Sequence, residues 1–126
     1  RYRTGDMARM LEGACRCGGI LPRLDKVMGR YANTIPIEGA KPLSIHKLDE
    51  LMFAVPEIRN YSAKLIISSR ANVLSLTVDT VQDLDADRLS EYIKAYFGSG
   101  MDIRISRSTV SPFTGAAKRQ ISIEHQ

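Results

Sequence analysis

Cysteine is nearly absent: Cys15 and Cys17 are the only two in 126 residues. One residue apart, they cannot readily pair with each other, and no third cysteine offers a partner. A disulfide framework is therefore excluded, and a reducing, cytoplasmic location is the expectation. Histidine is equally scarce, with only His46 and His125. There is no second cysteine pair, so a four-cysteine zinc site cannot come from this stretch alone. No stretch approaches the roughly 18 apolar residues of a helical membrane span, and no secretory-leader pattern is visible. Charge of one sign is only slightly in excess, 18 Lys and Arg against 14 Asp and Glu, for a net +4. That surplus is spread along the chain. It suits an anionic cofactor or an ordinary basic surface, and it makes no stripe of the kind nucleic acid requires. Of the tyrosines that could stack on bases, Tyr61, Tyr92 and Tyr96, two fall on one predicted helix. No nucleic-acid or membrane partner is expected.

What is present is ordinary in bulk and unusual in one place. Hydrophobic content of 44% and charged content of 25% are those of a globular domain, and the length suits one compact unit with a real core. The unusual stretch is the opening one, Arg1 to Arg30. Thr4-Gly5-Asp6 is a turn signal that carries a carboxylate. Gly29-Arg30 puts a flexible glycine beside a fixed-charge donor fork. Asp accepts from sugar hydroxyls and Arg donates to phosphate or ribose oxygens, so the two ends of this segment suit a ligand bearing both.

Three blocks in this stretch resemble the phenylacetate–CoA ligase branch of the AMP-forming, adenylate-forming enzymes. They are Arg3-Thr4-Gly5-Asp6, then Cys15-Arg16-Cys17-Gly18, then Arg23-Leu24-Asp25-Lys26-Val27-Met28-Gly29-Arg30. They occur in the family's order and at about its spacing. The resemblance implies a division at residue 30. Residues 1–30 would be the end of the large adenylating domain with the hinge segment, and residues 31–126 the small C-terminal lid domain. It implies Asp6 on the ribose hydroxyls and Arg30 on ribose or phosphate. It also implies ATP or AMP with Mg2+, a carboxylic acid substrate, CoA where thioester formation is retained, and an upstream large domain of the same chain as partner. The isolated stretch would be inactive, because most of the ATP and acyl site would lie upstream. The Cys15 and Cys17 pair reads either as half of a zinc site completed upstream or as small residues in a tight loop.

Taken in order, Asp6–Leu11 reads as a strand, and the second half of 20–28 as a strand returning beside it. After Arg30 the family shows a hinge carboxylate pair; here Ala32 and Asn33 stand at those positions. The loop Glu38–Pro42 is altered as well, which bears on thioester formation more than on nucleotide binding. Ser44–Val55 predicts an amphipathic helix capped by Ser44, with Ile45, Leu48, Leu51 and Met52 on one face, His46 toward solvent, and Pro56 as the stop. Asn60–Ser68 and Asn72–Thr80 predict an antiparallel hairpin with one buried and one wet face. The acidic run Asp83, Asp85, Asp87 lacks the spacing of a calcium loop and reads as an N-cap with first-turn acids. The helix it opens runs from Ala86 to about Phe97, with Leu89, Ile93 and Tyr96 inward, and ends at Gly98-Ser99-Gly100. Met101–Ser106 and a segment from Ile121 complete the strands. The expected class is α+β: a small antiparallel or mixed sheet with two main helices, preceded by a β-hairpin-like hinge segment.

The stretch Thr114–Arg119 matches the family's glycine–lysine–arginine loop at Gly115 and Arg119, but Ala116 follows the glycine and the lysine is Lys118. A cation there offsets charge on the attacking carboxylate and the α-phosphate. Lys118 is therefore the candidate catalytic residue, acting from a shifted loop; otherwise Lys118 and Arg119 form a basic turn before an edge strand. The function implied is an acyl- or aryl-acid ligase that makes acyl-AMP and pyrophosphate. The alternative is a degenerate relative that keeps the fold and binds nucleotide or scaffolds.

Overall fold

The computed structural model describes residues 4–27, 34–108 and 119–126. The chain divides into two compact units, Arg1–Thr34 and Ile35–Gln126.

In the first unit regular structure is sparse. β1 (Met10–Leu11) pairs antiparallel with β2 (Arg23–Leu24), Met10 opposite Leu24 and Leu11 opposite Arg23. The expected strand over Asp6–Leu11 is thus cut to its last two residues. Beyond Leu11, Gly13 and Gly18 take positive φ of 81° and 78°, and the link to β2 runs through turns. Arg23 ties it down by donating from Nη2 to the carbonyls of Glu12 and Gly13 at 3.1 and 3.2 Å. None of the described residues 4–27 is buried.

The second unit holds the core. β3 (Thr34–Ile35) and β4 (Leu43–Ser44) bracket a short loop. α1 (Ile45–Met52) follows at once, with Ser44 Oγ accepting from Lys47 N–H at 3.3 Å. That bond satisfies one of the helix's open donors. Leu48, Leu51 and Met52 are buried, as their spacing predicts. The helix ends at Met52, before the Pro56 stop, with the Phe53 N–H bonded to the Asp49 carbonyl. His46 is half-buried rather than solvent-facing, because its ring leans toward Glu50 one turn on, at 3.5 Å.

β5 (Ile58–Ile67) and β6 (Asn72–Thr80) form the antiparallel hairpin the alternation predicts. Ser68 closes its tip, donating to the Ala71 carbonyl at 2.7 Å and accepting from its N–H at 3.2 Å. β7 (Met101–Arg107) lies parallel to β6, and β8 (Ile121–His125) parallel to β5. The strand order is β7-β6-β5-β8, a mixed sheet. Tyr61, Ala63 and Leu65 of β5, Leu74, Leu76 and Val78 of β6, and Met101 and Ile103 of β7 project from one face into the core. Lys64, Ser75 and Arg104 alternate to the other. Asp79 departs from this pattern: it is buried at 8% exposure, beside a bulge between Ile58 and Asn60 that shifts the register.

α2 (Ala86–Phe97) starts as the acidic run predicts, with Asp85 accepting from Arg88 N–H at 3.0 Å and Asp87 in the first turn. Asp83 pairs with Arg107 Nη1 at 2.8 Å, and the same guanidinium donates to the Leu84 carbonyl. Leu89 and Ile93 are buried, but Phe97 and not Tyr96 takes the third core position. Two main helices on a small mixed sheet make the unit α+β, as expected from sequence.

Candidate functional site

Of the three sequence-predicted site residues, the structure places one. Asp6 stands on the exposed turn after Gly5, whose φ is 74°, and its N–H bonds Thr4 Oγ1 at 3.3 Å. An exposed carboxylate on a tight turn is a competent acceptor for ligand hydroxyls. Arg30 and Lys118 lie outside the described residues, as do the hinge positions Ala32 and Asn33.

The residue directly after Lys118 organises a cluster that sequence reasoning missed. Arg119 Nη1 donates to Asp49 Oδ1 at 2.6 Å. Tyr61 OH donates to the same oxygen at 2.8 Å. The Arg119 guanidinium lies over the Phe53 ring at 4.5 Å and near the Tyr61 ring at 5.6 Å. The two rings pack at 5.8 Å. α1 supplies Asp49, the turn after it Phe53, β5 Tyr61, and the approach to β8 Arg119. The Tyr61 side chain is fully buried. Burial first, then the bond to Asp49, holds its phenol far above the ordinary range. This is a fixed, charge-assisted knot at the root of the segment that carries the candidate lysine.

A second cluster gathers cations. Lys41 Nζ and Lys47 Nζ lie 4.3 and 4.5 Å from the Tyr96 ring centroid. Lys47 also pairs with Glu50 at 2.8 Å, and that bond chiefly raises its ammonium pKa. The loop bearing Lys41 is pinned, since the Lys41 N–H donates to the Phe97 carbonyl at 2.8 Å. Behind the other end of α1, a cleft of about 530 Å³ opens between residues 54–57 and the start of α2, with Arg88 and Tyr92 on its wall.

In the first unit, the Cys15 and Cys17 sulfurs lie 2.9 Å apart as free thiols. Among the described residues no group of three or more His, Cys, Asp or Glu side chains converges to hold a metal ion. The described residues thus supply no Mg2+ ligand set.

No protein-family model matches the sequence, and none of the curated proteins compared with it does. Solved structures do match. A 2-hydroxyisobutyryl-CoA ligase in the postadenylation state, in complex with 2-HIB-AMP, overlays 94% of the chain with a TM-score of 0.68 at 15% identity. The same ligase with 2-HIB-AMP and CoA in the thioesterification state overlays 98% with a TM-score of 0.58. A domain of phenylacetate-coenzyme A ligase from Bacteroides vulgatus ATCC 8482 overlays 75% at 7% identity, with a TM-score of 0.53 and 94% of that domain covered. The chain spans 27% of the length of the first of these ligases. The protein therefore has the fold of a part of the adenylate-forming CoA ligases.

Proposed function

We propose that this chain is the C-terminal portion of an AMP-forming acyl- or aryl-acid ligase. The full protein would join a carboxylate to ATP, giving acyl-AMP and pyrophosphate, and pass the acyl group to CoA where thioester formation is retained. The observation that carries this reading is the overlay of nearly the whole chain on a CoA ligase, at 94% coverage, together with the three ordered sequence blocks between Arg3 and Arg30. In this reading residues 1–30 complete a large upstream domain and residues 31–126 are its lid. The first unit supports that division by what it leaves uncovered. Ile20, Leu21 and Leu24 are 98%, 80% and 61% exposed, more apolar surface than a short segment leaves in water without a neighbour.

Asp6 accepts from the ribose hydroxyls and Arg30 donates to ribose or phosphate. Lys118 carries the cation to the acyl carboxylate and α-phosphate, with its chain end held by the Arg119–Asp49 pair. Mg2+ and most of the nucleotide pocket belong to the upstream domain. When bound, the metal supplies charge neutralisation on the phosphates. The protein would act in the cytoplasm on a small carboxylic acid.

A second reading is favoured by Ala32 and Ala116, which replace the hinge carboxylate and the usual lysine. It is a relative that keeps the fold and binds nucleotide without turnover. ATP–pyrophosphate exchange by the full-length protein over aromatic and aliphatic acids separates the two. Exchange that falls about a thousandfold in Lys118→Ala, the size of a lost transition-state charge contact of about 4 kcal/mol, establishes the ligase and its displaced lysine. Exchange untouched by the substitution removes Lys118 from the site. No exchange with any acid, alongside measurable nucleotide binding, favours the non-catalytic relative.

A further inference from the structure

The turn around Cys17 brings the chain's two thiols together. The Gly18 N–H donates to the Cys15 carbonyl at 2.9 Å, and Gly18 takes a φ of 78°. The reversal sets the Cys17 sulfur 2.9 Å from that of Cys15, a contact their spacing alone argues against. Cys17 is exposed and Cys15 half-buried. The outer thiol meets solution first, and the inner one lies against its sulfur. A Cβ on Gly19 would lie 3.4 Å from the Cys17 sulfur, so the glycine leaves that side of the outer thiol uncovered.

We infer that Cys15 and Cys17 form a dithiol–disulfide exchange site for low-molecular-weight disulfides such as glutathione disulfide. The Cys17 thiolate attacks one sulfur of the small disulfide. That S–S bond breaks, one small thiolate leaves and takes up a proton, and Cys17 is left in a mixed disulfide. Cys15 loses its proton to water and attacks the Cys17 sulfur, and the second small thiol leaves. In sum, two protein thiols are oxidised to one disulfide while one small disulfide is reduced to two thiols. Cys17 makes the first attack because it is the more exposed of the two thiols. A bridge across one intervening residue closes a small strained ring, and strained, exposed disulfides are readily reduced again. The site is therefore a reversible one, not a staple. It uses no residue of the proposed adenylation chemistry.

The test is to hold the protein in glutathione buffers of rising oxidised-to-reduced ratio, then alkylate and measure intact mass. Both thiols should be lost together with a mass loss of two hydrogens, reversed by dithiothreitol. Cys15→Ser should stop at a single glutathione adduct on Cys17. Cys17→Ser should react about tenfold more slowly, having lost the more exposed thiol. Circular dichroism of both variants secures that they fold. Thiols that stay alkylatable at the most oxidising ratio overturn the inference. Two stable glutathione adducts on the unsubstituted protein overturn it too, as does release of a bound zinc ion on alkylation.

Discussion

A single carboxylate oxygen, Asp49 Oδ1, accepts from both Tyr61 OH and Arg119 Nη1, at 2.8 and 2.6 Å. Removing it leaves a fully buried hydroxyl without an acceptor, beside a partly covered guanidinium. Asp49→Ala should therefore cost about 1–3 kcal/mol in urea unfolding. Tyr61→Phe keeps the ring packing and loses only the bond, and should cost about 1 kcal/mol. The pH dependence separates them further. The Tyr61 phenol is held above its unfolded value of about 10. A raised acid keeps its proton in the folded state while the unfolded chain gives it up. The stabilisation is thus complete below about pH 10 and lost as pH rises beyond it. The alkaline fall in stability should be shallower in Tyr61→Phe than in the unsubstituted protein, read from thermal melts at increasing pH. None of this was legible in the sequence. The Tyr61–Asp49 bond spans 12 positions and the Arg119–Asp49 bond 70, and no local pattern announces a partner at such separations. The turn that carries Asp6 was legible because it is written in three consecutive residues, Thr4 to Asp6.

At the scale of elements, the turn after α2 and the loop before β4 meet backbone to backbone. A Cβ on Gly100 would lie 2.6 Å from the Glu38 carbonyl oxygen and nearer still to Gly39. These are main-chain atoms that cannot rotate away. Gly100→Ala should destabilise the second unit by about 1–3 kcal/mol, the cost of an overpacked contact, and should release the Lys41 N–H from the Phe97 carbonyl, as faster amide exchange at Lys41 would report. Helices and the long hairpin were readable because their signals are local: Ser44 and Asp85 as caps, alternation along β6. Phe97 displaced Tyr96 from the core because positions three and four beyond Ile93 share one helix face, and periodicity alone does not choose between them. The phenol's hydroxyl disfavours full burial without a partner. β1 shrank to two residues because a hairpin this short gains little from pairing when no core lies beneath it.

For the molecule as a whole, burial among the described residues is confined to the second unit. Its core runs from Ile37 to Ile103, whereas Met10, Ile20, Leu21, Leu24 and Val27 of the first unit are all exposed. A chain beginning at Ile35 should therefore fold by itself. Its thermal midpoint should stay within about 4 °C of the longer chain's, since about 1 kcal/mol moves a domain of this size by that much. A loss of cooperative melting on truncation would show that the first unit supplies structure to the second. The sheet order also fixes a sequence of events. β5 and β6 are joined by a short tip and can zip as soon as they leave the ribosome. β8 docks on the other side of β5 only after Ile121 has been made, opposite Ala63. Throughout synthesis of the intervening chain, β5 presents an unsatisfied ladder of amides and carbonyls to any neighbouring polypeptide. A ribosome that stalls before β8 is made therefore releases a product with the β5 edge open, whereas the complete sheet keeps β5 and β6 inside and leaves only β7 and β8 at its edges.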